Sequence, residues 1–174
     1  MIDLEEELRS LHEAGFQWAL HCTGGREQDA EDALQGAYEA LLDGSAKFEG
    51  RSSFKSFLFG IVRNKARSLR RKKKVGRLVA LDFADEPEVD PVGAKAMESA
   101  QRKAAIRRAL QVLSPKQRDV LELVFYHDLT IEEAAQVMGV RLGTARTHYK
   151  RAKNTMYEQL TAGEFQWLKK TISS

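Results

Sequence analysis

The chain has one cysteine, Cys22, and three prolines in 174 residues. A single thiol excludes an internal disulfide framework. Two of the prolines, Pro87 and Pro91, fall close together, so long stretches elsewhere hold nothing that must break a helix. No apolar run approaches the roughly 18 residues that span a bilayer. The start, MIDLEEELRS, is acidic and has neither the basic nor the apolar segment of a signal peptide. No alternation of apolar and polar residues is long enough to suggest a sheet. There is no Gly-rich phosphate loop, paired-carboxylate pocket or nucleophile constellation, and Cys22 with the four histidines shows no metal-ligand spacing. The expectation is a soluble, cytoplasmic, all-α protein that is not an enzyme, uses no metal or cofactor and does not insert into membranes.

Charge of one sign is also missing, but only locally. Residues 51–77 carry eleven Lys/Arg and no acid, and residues 141–157 carry five Lys/Arg and no acid. Residues 1–50 hold twelve acids against three bases, and residues 82–90 hold five acids and no base. Blocks of alternating sign beneath a net charge of +3 point to separate surfaces with separate partners.

The apolar pattern is helical throughout. Leu4, Leu8, Leu11, Gly15, Trp18 and Cys22 form one stripe that ends at Gly24-Gly25. Asp29 is placed to cap a second helix with the stripe Ala30, Leu34, Ala37 and Leu41. After the turn-rich DGSAKFEGRSS, Ser53 caps a third, in which Phe54, Phe57, Leu58, Ile61 and Leu69 lie near one face and read as core. Residues 75–96 lose the helical period and have linker composition, although RLVALDF could dock on something. Helix resumes from Met97 to Leu113, restarts at Ser114-Pro115 and continues to Tyr126.

LTIEEAAQVMGVRLGTARTHYKRA, residues 129–152, has the form of a helix-turn-helix. Thr130 and Glu133 match a capping box for a helix over 131–138. Ile131, Ala134 and Met138 face inward, Ala135 lets two helices approach, and Gly139 supplies the positive φ of the turn. The next helix, running to about Leu160, presents Arg141, Thr144, Arg146, Thr147, His148, Lys150 and Arg151, with no acid before Glu158. Such a helix fits the major groove, where arginine reads guanine edges and hydroxyls bind phosphate or base.

Two motifs in order carry a family resemblance. LSPKQRDVLELVFYHDLTIEEAAQVMGVRLGTARTHYKRAKNTMYEQL resembles the sigma-4 domain, and AEDALQGAYEALL…KFEGRSSFKSFLFGIVRNKARSLRR resembles the sigma-2 domain, of an extracytoplasmic-function (ECF) sigma factor in the sigma-70 family of RNA polymerase. The resemblance implies an all-helical fold of two small domains, sigma-2 at 1–74 and sigma-4 at 97–162, joined by a flexible linker at 75–96 and followed by a tail at 163–174. It implies that Asp29, Glu31, Asp32, Gln35 and Glu39 dock on the β′ coiled coil of core polymerase, with the β flap as a further contact. It places Phe48 and Asn64 at a pocket for a base flipped from the −10 element, with Arg63, Lys65, Arg67, Arg70, Arg71 and Lys72 on the phosphates. A ring can stack on an unstacked base, and an amide offers both donor and acceptor, so the chemistry agrees. It assigns the −35 element to Arg146, Thr147, His148 and Arg151. The sequence departs from the family at Ser68, where Asp is common, and at His148, where Arg is usual. An anti-sigma protein commonly clamps the two domains in this family. The rival reading, a stand-alone helix-turn-helix regulator, explains residues 99–160 and leaves the aromatic-basic stretch unexplained.

Overall fold

The computed structural model describes residues 3–74 and 94–161, with the side chains of residues 74 and 94–99 excepted. RLVALDF, and Phe165, Trp167, Leu168 and Ile172 of the tail, lie outside the described residues. Among the described residues every regular element is helical. The chain divides into two compact units, residues 1–85 with 132–141, and residues 86–131 with 142–174.

The first unit is built on α1 (Leu4–Ser10), α2 (His12–Thr23), α3 (Glu27–Leu42) and α4 (Phe54–Lys74). Asp3 starts α1 by accepting the amides of Glu5 and Glu6 at 3.1 and 3.3 Å. The single helix expected from Leu4 to Cys22 is broken at Leu11, whose φ of −98° and ψ of 3° leave the helical region. Beside the break, the Ser10 hydroxyl donates to the Glu7 carbonyl at 2.9 Å, a local competitor of the helical ladder. Gly24 and Gly25, with φ of 71° and 79°, end α2 as the sequence suggests.

Helices α2, α3 and α4 pack pairwise. The α3 face is small, with Ala30, Ala33 and Ala37 fully buried, so larger neighbours fill the space. Gly15 of α2 meets Leu34 of α3, since a Cβ there would lie 3.1 Å from Leu34 Cδ1. Trp18 is fully buried, stacks on Phe59 at 5.9 Å and donates its indole N–H to the Phe59 carbonyl at 3.0 Å. This contact sets the rotation of α4. Phe54, Leu58, Phe59, Val62 and Ala66 form its buried face, while Phe57, Ile61 and Leu69, expected in the core, are half-buried.

The second unit contains α5 (Ala94–Val112), α6 (Pro115–Leu121), a π-helical turn over Glu122–Tyr126, and α8 (Leu142–Thr161). Helix α5 begins three residues before the expected Met97, and the helix expected through Tyr126 widens at its end. Ser114 and Gln117 form a reciprocal capping box at the start of α6. Ala105, Ala109 and Leu160 pack with Met156, and Leu113, Leu121 and Ala152 pack with Leu110 and Tyr149. Between Tyr126 and α7 (Ile131–Met138), Asp128 takes a left-handed φ of 54°. Gly139, at φ 63°, ends α7 as expected, with the Val140 amide returning to the Ala135 carbonyl at 3.0 Å.

Candidate nucleic-acid interface

The basic run on α4 divides by helical position into groups that do different things. Ser53 caps the helix: its Oγ accepts the Ser56 amide at 3.3 Å. With Leu58, Val62 and Ala66 fixed in the core, a 3.6-residue period turns Phe57, Asn64, Ser68 and Arg71 to the opposite side. Asn64, Arg67 and Arg71 are exposed, and Phe57, Ser68 and Arg70 are half-buried.

Two other cations are occupied, and the stem of a third packs on a neighbouring helix. Lys73 pairs with Asp29 of α3. Lys65 lies along α3, its Cδ 3.4 Å from where a Cβ on Gly36 would sit. Arg63 donates from Nη1 to the Met138 carbonyl at 3.1 Å.

Phe48 lies in the loop before α4 and is half-buried. Its ring meets Phe54 edge-on and Phe57 at a tilt, both with centroids 5.4 Å apart. The ring is therefore held in a three-phenylalanine cluster beside the outward face of α4. That cluster includes Phe57, which sequence reasoning had assigned to the core.

On α3, Glu31, Asp32, Gln35 and Glu39 are exposed, and Gln35 donates to Glu39 at 3.0 Å. Asp29 is not part of this surface. It is 4% exposed and sits in the first turn of α3, where Arg26 donates to it at 2.6 Å and Lys73 pairs with its other oxygen. Nor does it cap the helix, because α3 starts two residues earlier after Arg26. Burial raises the Asp29 pKa, but hydrogen bonds and charge from Lys73 and Arg26 outweigh it and hold the carboxyl below its ordinary 3.8. Leu42, an apolar residue at the end of α3, is 65% exposed.

On α8, Ala145 and Ala152 are buried, and Thr144, Arg146, Thr147, Lys150 and Arg151 are exposed, with Arg141 exposed just before the helix. Thr147 donates its hydroxyl to the Gly143 carbonyl at 2.9 Å, which leaves its oxygen as an acceptor. His148 is half-buried. Burial lowers its pKa, and the positive charges of Lys116 and Arg151 lower it further against the pull of Asp119, so the imidazole is neutral at neutral pH. Lys116, on α6, was not among the residues singled out in the sequence, because only folding brings it into range of His148. Beside this face Tyr149 stacks on Phe125 at 6.0 Å, with Lys153 over its ring at 5.5 Å.

Among the described residues no helix is long and apolar enough to cross a membrane, and no group of His, Cys, Asp and Glu could hold a metal ion. The sequence pattern of sigma-70 region 2 matches residues 9–75, and that of sigma-70 region 4 matches residues 103–156. The chain is 25% identical over 162 residues to the RNA polymerase sigma-E factor of Streptomyces coelicolor, covering 93% of this chain and 88% of that one. It is 27% identical over 164 residues to the ECF RNA polymerase sigma factor SigM of Mycobacterium tuberculosis, covering 86% and 81%. Among solved structures it is similar to the sigma factor RpoE bound to the anti-sigma factor NepR from Bartonella quintana, at TM-score 0.65 and 25% identity, covering 91% and 97%. CnrH, solved with the cytosolic domain of CnrY, shares the fold at TM-score 0.58 and 23% identity, covering 90% and 87%.

Proposed function

We propose how the promoter is engaged from the premise that this chain belongs to the sigma-70 family of RNA polymerase factors, in its ECF branch. The protein is a promoter-recognising initiation factor. A stand-alone helix-turn-helix regulator is not favoured, because the region 2 match over residues 9–75 has no place in it.

The division of labour is our reading, and the outward face of α4 carries it. That face sets Asn64, Arg67 and Arg71 beside the Phe48–Phe57 cluster, in a stretch of 27 residues, 51–77, with no acid. Arg67, Arg70 and Arg71 hold the phosphates of the −10 region, Arg70 from the flank of that face. Phe48 and Asn64 receive a base flipped from the stack. Unstacking costs a few kcal/mol. Stacking on a ring returns about 1–3 kcal/mol per base, and the Asn64 amide adds hydrogen bonds. The exposed part of α8, from Thr144 to Arg151, lies in the major groove of the −35 element, with Arg146 and Arg151 as guanine readers and Thr147 as an acceptor. Glu31, Asp32, Gln35 and Glu39 offer a basic partner an acidic surface, which we assign to the β′ coiled coil, with the β flap on the region 4 side. An anti-sigma factor is a further partner, as NepR is of RpoE in the Bartonella complex. The protein acts in the cytoplasm.

The test is transcription with purified core polymerase on a broad promoter library. Polymerase-dependent initiation at a defined class of −35 and −10 sequences is expected; initiation at none of them would refute the reading.

A further inference from the structure

The described glycines divide by what makes each position a glycine. Gly24, Gly25, Gly44, Gly50 and Gly139 take a left-handed φ. Gly15 and Gly36 lie where helices meet, against Leu34 and Lys65. Gly60 and Gly143 have neither reason. Both are helical, and an added Cβ at either would find no atom within 4 Å beyond its chain neighbours and its own helix backbone. Gly143 is the second residue of α8, at a helix end. Gly60 is the seventh of the 21 residues of α4 and bears the full interior cost of glycine. Relative to alanine, that cost is about fivefold in the folding equilibrium constant. The remaining physical use of a bare helical backbone is close approach by a ligand.

Gly60 falls in the middle of the outward face of α4. Phe57 and Asn64 are seven residues apart, so they lie nearly on one line, about 10 Å from each other along the axis. Gly60 comes between them. One end of this interval is the Phe57 ring, whose centroid is 5.4 Å from that of Phe48. The other end is the exposed Asn64 amide. Between the two, neither side chain reaches within 4 Å of the Cβ position, although Gly60 itself is half-buried. The result is a slot with an aromatic end, a hydrogen-bonding end and a floor of bare backbone. An unstacked base suits it: the ring meets carbon, its polar edge meets the amide, and the Cα hydrogens of the floor allow close contact.

We propose that Gly60 is the floor of the slot that receives the flipped −10 base, and that its missing side chain sets how large a base is admitted. This rests on the assignment of α4 to the −10 element. A methyl group on the floor lifts the base and forfeits van der Waals contact. A purine, which reaches deeper than a pyrimidine, loses the most.

The test uses the full chain with Gly60→Ala or Gly60→Leu, bound to core polymerase. The templates are forks whose −10 non-template strand is unpaired and carries a purine, a pyrimidine or an abasic site at each position in turn. Gly60→Ala should raise the urea midpoint and leave polymerase affinity unchanged. At one position it should weaken binding of the purine template several-fold, of the pyrimidine template less, and of the abasic template not at all. Gly60→Leu should weaken the purine complex at least about tenfold. Wild-type affinity of both variants for every template, or an equal loss on the abasic one, overturns the floor. A lower urea midpoint or a loss of polymerase affinity in Gly60→Ala also overturns it, because the glycine would then have a structural task. Asn64→Ala and Arg67→Ala separate this proposal from the reading beneath it. If they weaken the fork complexes and the Gly60 variants do not, only the floor fails. If none of the four does, the −10 assignment of α4 fails with it.

Discussion

Lys73 and Asp29, 44 residues apart in sequence, share an ion pair that ties the end of α4 to the first turn of α3. Arg26 holds the other carboxylate oxygen, so a buried charge is satisfied from two sides. Asp29→Asn should cost about 1 kcal/mol at neutral pH, a modest figure because Lys73 is 61% exposed. The folded carboxyl titrates below its ordinary 3.8. Its contribution is therefore present above the unfolded value and fades as pH falls through the folded one. Urea melts of the two proteins should differ most at neutral pH and converge only once the pH has fallen below the depressed folded value. A constant difference would count against the ion pair.

Two helical glycines should respond in opposite ways to alanine. At Gly36 the nearest atoms to the new Cβ all belong to the flexible stem of Lys65, with Cδ at 3.4 Å. Gly36→Ala should therefore gain most of the ~1 kcal/mol helix preference. At Gly15 the Cβ lies 3.1 Å from Leu34 Cδ1, which is buried against α2. Gly15→Ala should lower the urea midpoint because Leu34 must move.

Asn64 is exposed on α4. Asn64→Ala should leave polymerase binding and helicity unchanged and impair open-complex formation, read by permanganate reactivity of unpaired thymines. Equal loss of polymerase affinity would return Asn64 to a structural role.

His148→Arg should add one phosphate or guanine contact on α8. For the polymerase-bound protein, the dependence of log affinity on log salt should steepen by about one unit. Wild-type binding should tighten as pH falls through the depressed imidazole value, because phosphates favour the protonated ring. The arginine protein should show no such step. Identical pH profiles would remove His148 from the interface.

Much of this was legible in the chain. Paired glycines at 24–25 and Gly139 mark helix ends because only they accept the left-handed turn cheaply. The rotation of α4 was harder. Phe54, Phe57 and Phe59 lie so close that several apolar stripes fit, and Trp18 of another helix selects the one through Phe59. Asp29 looked like a cap because capping is a local habit of aspartate, whereas Lys73 is a distant partner that sequence spacing cannot reveal. The capping box at Ser114 is written out in the S-P-K-Q stretch itself, with Gln117 three residues after the serine. Of the candidate site, the outward arginines of α8 follow from period and charge. The diversion of Arg63 and Lys73 does not, because a basic run carries no sign of which cations neighbouring segments will claim.

The enclosed indole of Trp18, stacked on Phe59 at 5.9 Å and on His21 at 5.1 Å, also has an optical consequence. The chain has two tryptophans, Trp18 and Trp167. With Trp167→Phe, all remaining indole emission comes from the junction of α2 and α4. Its blue-shifted spectrum would move to the red when those two helices part, and would stay dark to melting confined to α5, α6 and α8. The protein thus carries a built-in lamp for one of its two units.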